Sequence, residues 1–160
     1  MRKIILWLLV AYPVVSLAQS KKEVKKFDIT STTETVTETI DGKEVTHNDL
    51  IKKFDKHGNE IEEINYDKVG KLKERFVRKF DKNDNKIEEV TFDGNNHQTK
   101  KEIYKYDELG EKSEEYEYDA KNVLVSKSVF VLDRRGLKSE KRTYDAKGKL
   151  IQIKRYRYED

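Results

Sequence analysis

No cysteine occurs among the 160 residues, and proline, methionine and tryptophan occur once each. Without cysteine, a disulfide framework, a thiolate zinc site and a cysteine nucleophile are all excluded. Met1, Trp7 and Pro13 all fall within the first eighteen residues, so the rest of the chain has none of the three. Apolar residues are also scarce, at 35% against 41% charged, and 34 basic side chains nearly cancel 31 acidic ones. The length allows one small domain. A composition this polar leans towards disorder, so any fold has to show in the pattern.

One apolar run is present. Behind Arg2 and Lys3, residues 4–15 are almost uninterruptedly apolar, and Ser16-Leu17-Ala18 puts small residues at the two positions a signal peptidase inspects. Residues 1–18 therefore read as a signal peptide cleaved after Ala18, because a run of about twelve residues falls short of the roughly 20 that span a bilayer. The expectation is export through the secretory pathway, with no membrane span after cleavage. The remaining chain is about 30% hydrophobic, and its net charge falls from +3 to +1. Residues 19–29 are expected to be a flexible start, and residues 30–39 a polar first strand or lead-in.

What is present is a repeat. An apolar or aromatic residue followed by Asp recurs at Ile40-Asp41, Phe54-Asp55, Tyr66-Asp67, Phe80-Asp81, Phe92-Asp93, Tyr106-Asp107, Tyr118-Asp119, Leu132-Asp133 and Tyr144-Asp145, at spacings alternating between 14 and 12. From Phe54 to Tyr158 this makes four 26-residue units. Three residues after each Asp from Asp55 onward stands Gly, Asn or Asp, the types that best tolerate a positive φ. The turn-forming set includes Asp55 and Gly58, Asp67 and Gly70, Asp107 and Gly110, Asp133 and Gly136, and Asp145 and Gly148. Each reads as a three-residue hairpin loop, with the Asp carboxylate accepting backbone N–H groups. Asp41-Gly42 instead suits a two-residue primed turn.

The fold class that follows is all-β: an antiparallel up-and-down meander of about ten short strands, four double-strand repeats plus an N-terminal hairpin, over residues 30–160. The loops pair Tyr66 with Leu72, Tyr118 with Leu124 and Tyr144 with Leu150. The alternation of 12 and 14 makes successive hairpins climb by two residues per repeat, which favours a curled or spiral single sheet over a closed barrel. Even spacings put every aromatic on one face: Tyr66, Phe76, Phe80, Phe92, Tyr104, Tyr106, Tyr116, Tyr118, Phe130, Tyr144, Tyr156 and Tyr158. Val77 and Ile103 fall on the other. Residues 123–132 are the expected strand covered on both faces.

These units resemble the YD repeats of the rearrangement-hotspot (Rhs) class. The stretches Tyr66-Asp67-Lys68-Val69-Gly70-Lys71-Leu72 and Tyr144-Asp145-Ala146-Lys147-Gly148-Lys149-Leu150 match the Tyr-Asp-x-x-Gly-x-Leu unit, and Tyr104-Lys105-Tyr106-Asp107 and Tyr116-Glu117-Tyr118-Asp119 match its ending. The resemblance covers about residues 41–160 and implies a small bacterial secreted protein. Large members build β-sheet shells around toxin domains. With about four units here, the resemblance implies the repeat module rather than toxin delivery.

Singular chemistry is hard to find. Asp81-Lys82-Asn83-Asp84-Asn85 begins like a calcium loop, but Lys86 and Phe92 occupy the places of its required Gly and Glu, so a structural turn is expected. His47, His57 and His97 lack metal-ligand spacing. Glu62-Glu63, Glu88-Glu89 and Glu114-Glu115 have the residue types of a glycosidase acid and base, but neighbours on a strand point to opposite faces. No catalytic residue, cofactor or metal is therefore expected. The aromatic stripe is either the core of a thin sheet or a surface for an unknown protein or polysaccharide partner. A net charge near +1 argues against nucleic acid. The expected role is a non-enzymatic binding or structural module of the cell envelope or exterior, with glycan binding the specific alternative.

Overall fold

A computed structural model describes residues 20–159; the signal-peptide expectation lies outside the described residues. After a short helix α1 (Lys21–Lys26) come ten strands: β1 (Ser31–Ile40), β2 (Lys43–Phe54), β3 (Glu60–Tyr66), β4 (Leu72–Phe80), β5 (Lys86–Asp93), β6 (Gln98–Tyr106), β7 (Lys112–Asp119), β8 (Leu124–Leu132), β9 (Lys138–Asp145) and β10 (Leu150–Arg155). Each strand pairs antiparallel with the next in one sheet ordered β1 to β10, and β1 and β10 are its two free edges. The sheet is an open meander and not a barrel.

Eight of the nine hairpins share one turn. In the turn after β3, Gly70 N–H donates to the Asp67 carbonyl at 2.9 Å and Asp67 N–H to the Lys71 carbonyl at 2.8 Å. The Asp67 carboxylate accepts from the N–H groups of Val69 and Lys71, both at 2.9 Å. These bonds, that from Lys71 foremost, hold the Asp67 carboxyl below the usual carboxylate range. The fourth position takes positive φ throughout, by Gly at five turns and by Asp84, Asn96 and Asn122 at the other three. The first hairpin differs as expected: Ile40 pairs with Lys43, and Asp41 and Gly42 have φ of 51° and 76°, a type I′ turn.

The pairings of Tyr66 with Leu72, Tyr118 with Leu124 and Tyr144 with Leu150 are all present. Beyond each of them one residue is extra. After Tyr66↔Leu72 the next pair is Asn65↔Glu74, which leaves Lys73 as a bulge; Ile61, Ile87, Thr99, Ser113, Val125, Ser139 and Ile151 stand in the same place. A one-residue bulge inverts the side-chain alternation beyond it, which overturns the expectation that all the aromatics share a face. Val77 stands directly opposite Val90, and Ile103 opposite Tyr116, pairs that the one-face reading separates.

Tracing the directly opposed pairs puts Tyr66, Phe92, Tyr116, Tyr118 and Tyr144 on one face, here the first, with Ile64, Val77, Val90, Ile103 and Val129. The second face carries Phe76, Phe80, Tyr104, Tyr106, Phe130, Tyr156 and Tyr158. The two-residue climb is present: Glu88 is the repeat equivalent of Glu62, yet the residue reached straight across β4 from Glu62 is Val90.

Within residues 19–29, Lys21–Lys26 form α1. Ser20 caps α1, its hydroxyl accepting from Glu23 N–H while the Glu23 carboxylate accepts from Ser20 N–H, a complete capping box. Val24 is 1% exposed, in a hollow it shares with Phe54, Phe80, Gly58 and Asn59. Gly58 has φ +76°, and a Cβ there would stand 2.8 Å from the Lys21 carbonyl oxygen; at Gly110, φ +81°, it would meet nothing within 4 Å. Gly110→Ala should therefore cost only the left-handed penalty of about 1–2 kcal/mol. Gly58→Ala should cost more and release α1, as denaturant midpoints of the two variants will show.

Apart from α1, packed at the rim beside Phe54 and Phe80, no second layer lies over either face among the described residues. Residues 123–132 are accordingly not covered twice: Val123 is 58% and Val125 45% exposed, while Phe130 is half-buried. The core is a layer one side chain thick.

Candidate ligand-binding surface

Side-chain chemistry repeats with the 26-residue period, and the two faces differ. On the first face Glu62, Glu88 and Glu114 each stand between a cation of the preceding strand and one of the following strand. Lys53 and Arg75 hold Glu62, both at 2.6 Å; Lys79 at 2.6 Å and Lys101 at 3.1 Å hold Glu88; Lys105 at 3.3 Å and Lys127 at 2.5 Å hold Glu114. At Glu62 and Glu88 burial alone would raise the carboxyl, and the flanking cations override it and hold both low. Glu114, bonded first by Lys127 and then by the Tyr116 hydroxyl at 2.6 Å, is held at about 2.

The second face repeats the arrangement with Glu63, Glu89 and Glu115. Arg78 reaches Glu63 at 3.0 Å, Glu89 at 2.6 Å and also Glu60, while Lys141 at 2.7 Å and Lys112 at 3.2 Å hold Glu115. All three carboxyls are held below their ordinary range against the opposing effect of burial. None of these glutamates has the raised pKa that a general acid needs. The members of each adjacent pair lie on opposite faces, as strand alternation dictates. A depressed carboxylate contributes stability above its unfolded pKa and loses it as pH falls through the folded value. The stability difference between the natural protein and Glu114→Gln, present at pH 7, should accordingly shrink below pH 4.5 and vanish near pH 2; urea titrations across that range measure it.

Cations lie over rings on both faces: on the first, Arg75 is 4.9 Å from the Phe92 ring centroid, and Lys105 and Lys127 are 4.9 and 5.3 Å from that of Tyr116. On the second face the rings lie under ammonium groups: Lys86 and Lys112 are 4.9 and 4.4 Å from the Tyr104 ring centroid, and Lys112, Lys138 and Lys141 lie 5.1 to 5.4 Å from that of Phe130. Tyr106 and Tyr158 donate their hydroxyls to the carbonyls of Lys86 and Lys138 at 2.8 and 3.0 Å. Of these rings Tyr104 is buried, at 6% exposed, and Tyr158 is 46% exposed. On the first face Tyr66, Phe92, Tyr118 and Tyr144 form a row along the rim of turns that begin at Asp67, Asp93, Asp119 and Asp145. Opposite them stand Leu72, Gln98, Leu124 and Leu150. Successive rings are two strand spacings and a two-residue climb apart, on the order of 11 Å. At the far end of this row an open hollow of about 370 Å³ is lined by Tyr144, Leu124, Val129 and Lys127.

An open groove of about 790 Å³ lies at the opposite rim and is bordered by Ile61, Val77, Arg75, Lys79, His57 and Asp84. Lys21 reaches Asn59 at 2.5 Å and Asp84 at 3.2 Å there, and Asn59 donates to Asp84 at 2.9 Å. The Asp81 loop is thus a structural turn whose Asp84 anchors α1. His57 and His97 lie in turns, 3.9 Å from Asp84 and 3.8 Å from Asp93, and His47 is in β2. No group of His, Asp and Glu arranged to hold a metal occurs among the described residues. The aromatics are evident in the sequence, but their division between the faces is not, because the bulges that cause it have no single residue signature of their own.

No family model matches the chain, and no curated protein matches it in sequence. Among solved structures, TarM is similar over 82% of this chain and 22% of its own, at 18% identity and a TM-score of 0.33. A mutant TarM of S. aureus in complex with Fondaparinux, alpha-GlcNAc-glycerol and UDP gives 82% and 23%, 18% identity and 0.34. The GtfA/B complex bound to UDP and GlcNAc gives 77% and 24%, 13% identity and 0.31. The chain spans less than a quarter of the length of each, and overlap at these TM-scores carries no argument about its chemistry.

Proposed function

We propose that the protein is an exported, non-enzymatic β-repeat module of the YD type, which binds a partner across its strands on the first face. The observation that carries this reading is the row Tyr66, Phe92, Tyr118 and Tyr144. It lies on a sheet with no covering layer among the described residues and alternates with Leu72, Leu124 and Leu150. A surface that repeats every two strands suits an extended ligand that presents the same group again and again. An active site needs unlike groups converging at one point, and here the charged groups are spent on one another in cross-strand pairs.

A glycan ligand is the specific form of this reading favoured by the aromatic row, since sugar rings stack on Tyr and Phe faces. Titration of soluble cell-wall and extracellular polysaccharides, followed by Tyr fluorescence, tests it. Quenching that is lost in Tyr118→Ala and Tyr144→Ala but kept in Tyr158→Ala, on the other face, is the expected result. No response to any polysaccharide removes the glycan reading and leaves a protein partner. Hydrolase activity abolished by a single substitution would overturn the non-enzymatic reading.

A further inference from the structure

The two free edges of the sheet differ in charge. β1, Ser-Thr-Thr-Glu-Thr-Val-Thr-Glu-Thr-Ile, carries Glu34 and Glu38 and no basic residue. β10 carries Lys154 and Arg155 and no acidic residue; beyond it Arg157 is followed by Glu159 and Asp160. Traced through the pairs Glu34↔Leu50 and Leu50↔Asn65, Glu34 and Glu38 lie on the second face, and so does Lys154, opposite Lys141. Arg155 and Arg157 fall on the first face, where Arg155 holds Glu140 at 3.1 Å. Among the described residues no strand follows β10 in the sheet. The strand is exposed along its whole length, with Leu150 44%, Ile151 58% and Ile153 39% exposed.

We propose that β10 pairs with β1 of a second copy of this chain, so that copies join edge to edge and the meander continues from one to the next. Direction permits it: with an even number of strands, β1 runs parallel to β9, so a copy displaced along the sheet brings its β1 antiparallel to β10. Charge selects it among the three edge pairings open to two copies. Joining β10 to β10 opposes two basic strands and joining β1 to β1 opposes two acidic ones; only β10 with β1 joins opposite charges. Pairing satisfies the free N–H and C=O groups of both edges and covers Leu150, Ile151 and Ile153. The interface is head to tail, so assembly continues until a ring closes or a filament grows.

Charge exchange tests this. One variant carries Lys154→Glu with Arg157→Glu, so both its edges are acidic; another carries Glu34→Lys with Glu38→Lys, so both are basic. In sedimentation velocity at low ionic strength, the natural protein should grow in mass with concentration. Each variant alone should sediment as one chain, with association weakened on the order of tenfold or more. An equimolar mixture of the two should assemble again, and that recovery shows both variants to be folded. A natural protein that stays one chain at every concentration overturns the proposal. So do variants that assemble as the natural protein does, or a mixture that does not recover. Growth that stops at a two-copy particle unaffected by the β1 variant also overturns it, since that is the symmetric β10 pairing.

Discussion

Tyr104→Ala should destabilise the protein by about 3–4 kcal/mol, near the range for removing a buried large aromatic. In a sheet one side chain thick this is an unusual expectation, because most rings are half-buried and have no second layer to leave. Tyr104 is the exception at 6% exposed. It sits on β6 on the second face, between Lys86 of β5 and Lys112 of β7, whose ammonium groups lie over its ring and whose apolar stems exclude water from it. Burial, reinforced by Glu102, Glu89 and Glu115, pushes its phenol well above the usual tyrosine range, so it remains neutral at any pH of interest. Tyr104→Phe, which keeps the ring, should cost about 1 kcal/mol or less, within the worth of one hydrogen bond. Tyr158→Ala, at 46% exposure, should also cost little. Urea midpoints of the three variants decide the matter. If Tyr104→Ala proved as mild as Tyr158→Ala, the lysine-covered rings would not be the core.

The turns that fix this layer were legible in the sequence. Asp at the first loop position and a residue permitting positive φ at the fourth gave the hairpins, the aromatic pairings, the strand count and the two-residue climb, because each depends on a residue type with one dominant use. The assignment of faces was not legible. It turns on one extra residue per hairpin, and the bulge positions are filled by aliphatic Ile61, Ile87, Val125 and Ile151, by hydroxylated Thr99, Ser113 and Ser139, and by Lys73, so no one residue type marks them. Parity counting through an unseen bulge puts every later residue on the wrong side. One trace was there in hindsight: cation and glutamate pairs keep a 26-residue period only if Glu62 shares a face with both Lys53 and Arg75. Helix α1 was hidden for a different reason. Six residues are too few to show a helical period, and its stability comes from the Ser20 capping box and from Val24 in a hollow made by distant strands.

The same period locates the residue whose loss should unbalance the sheet most. Arg78, Tyr104, Phe130 and Tyr156 stand at one repeat position, so the first unit places a guanidinium where the others place a ring. The site has adapted to it: Arg78 is 15% exposed and its fork joins Glu60 and Glu63 of β3 to Glu89 of β5. Burial alone would lower the Arg78 pKa, and Glu89 and Glu63 override it and raise it. Restoring the repeat consensus with Arg78→Tyr should therefore not stabilise the protein. It would leave Glu63 without a cation and Glu60 and Glu89 with only Lys52 and Lys86, and should cost about 2–4 kcal/mol at pH 7, at and below the range for breaking a buried ion pair from one side. The sign of the pH dependence separates this cause from a simple packing defect. Glu63 and Glu89 have depressed pKa values in the natural protein, which therefore loses their contribution as pH falls below 4.5. In Arg78→Tyr Glu63 lacks its cation and Glu89 keeps only Lys86, so both gain more by protonating than in the natural protein, and the variant's deficit should narrow over that interval. A deficit that stays constant from pH 7 to pH 3 would show the loss to be one of packing and not of charge.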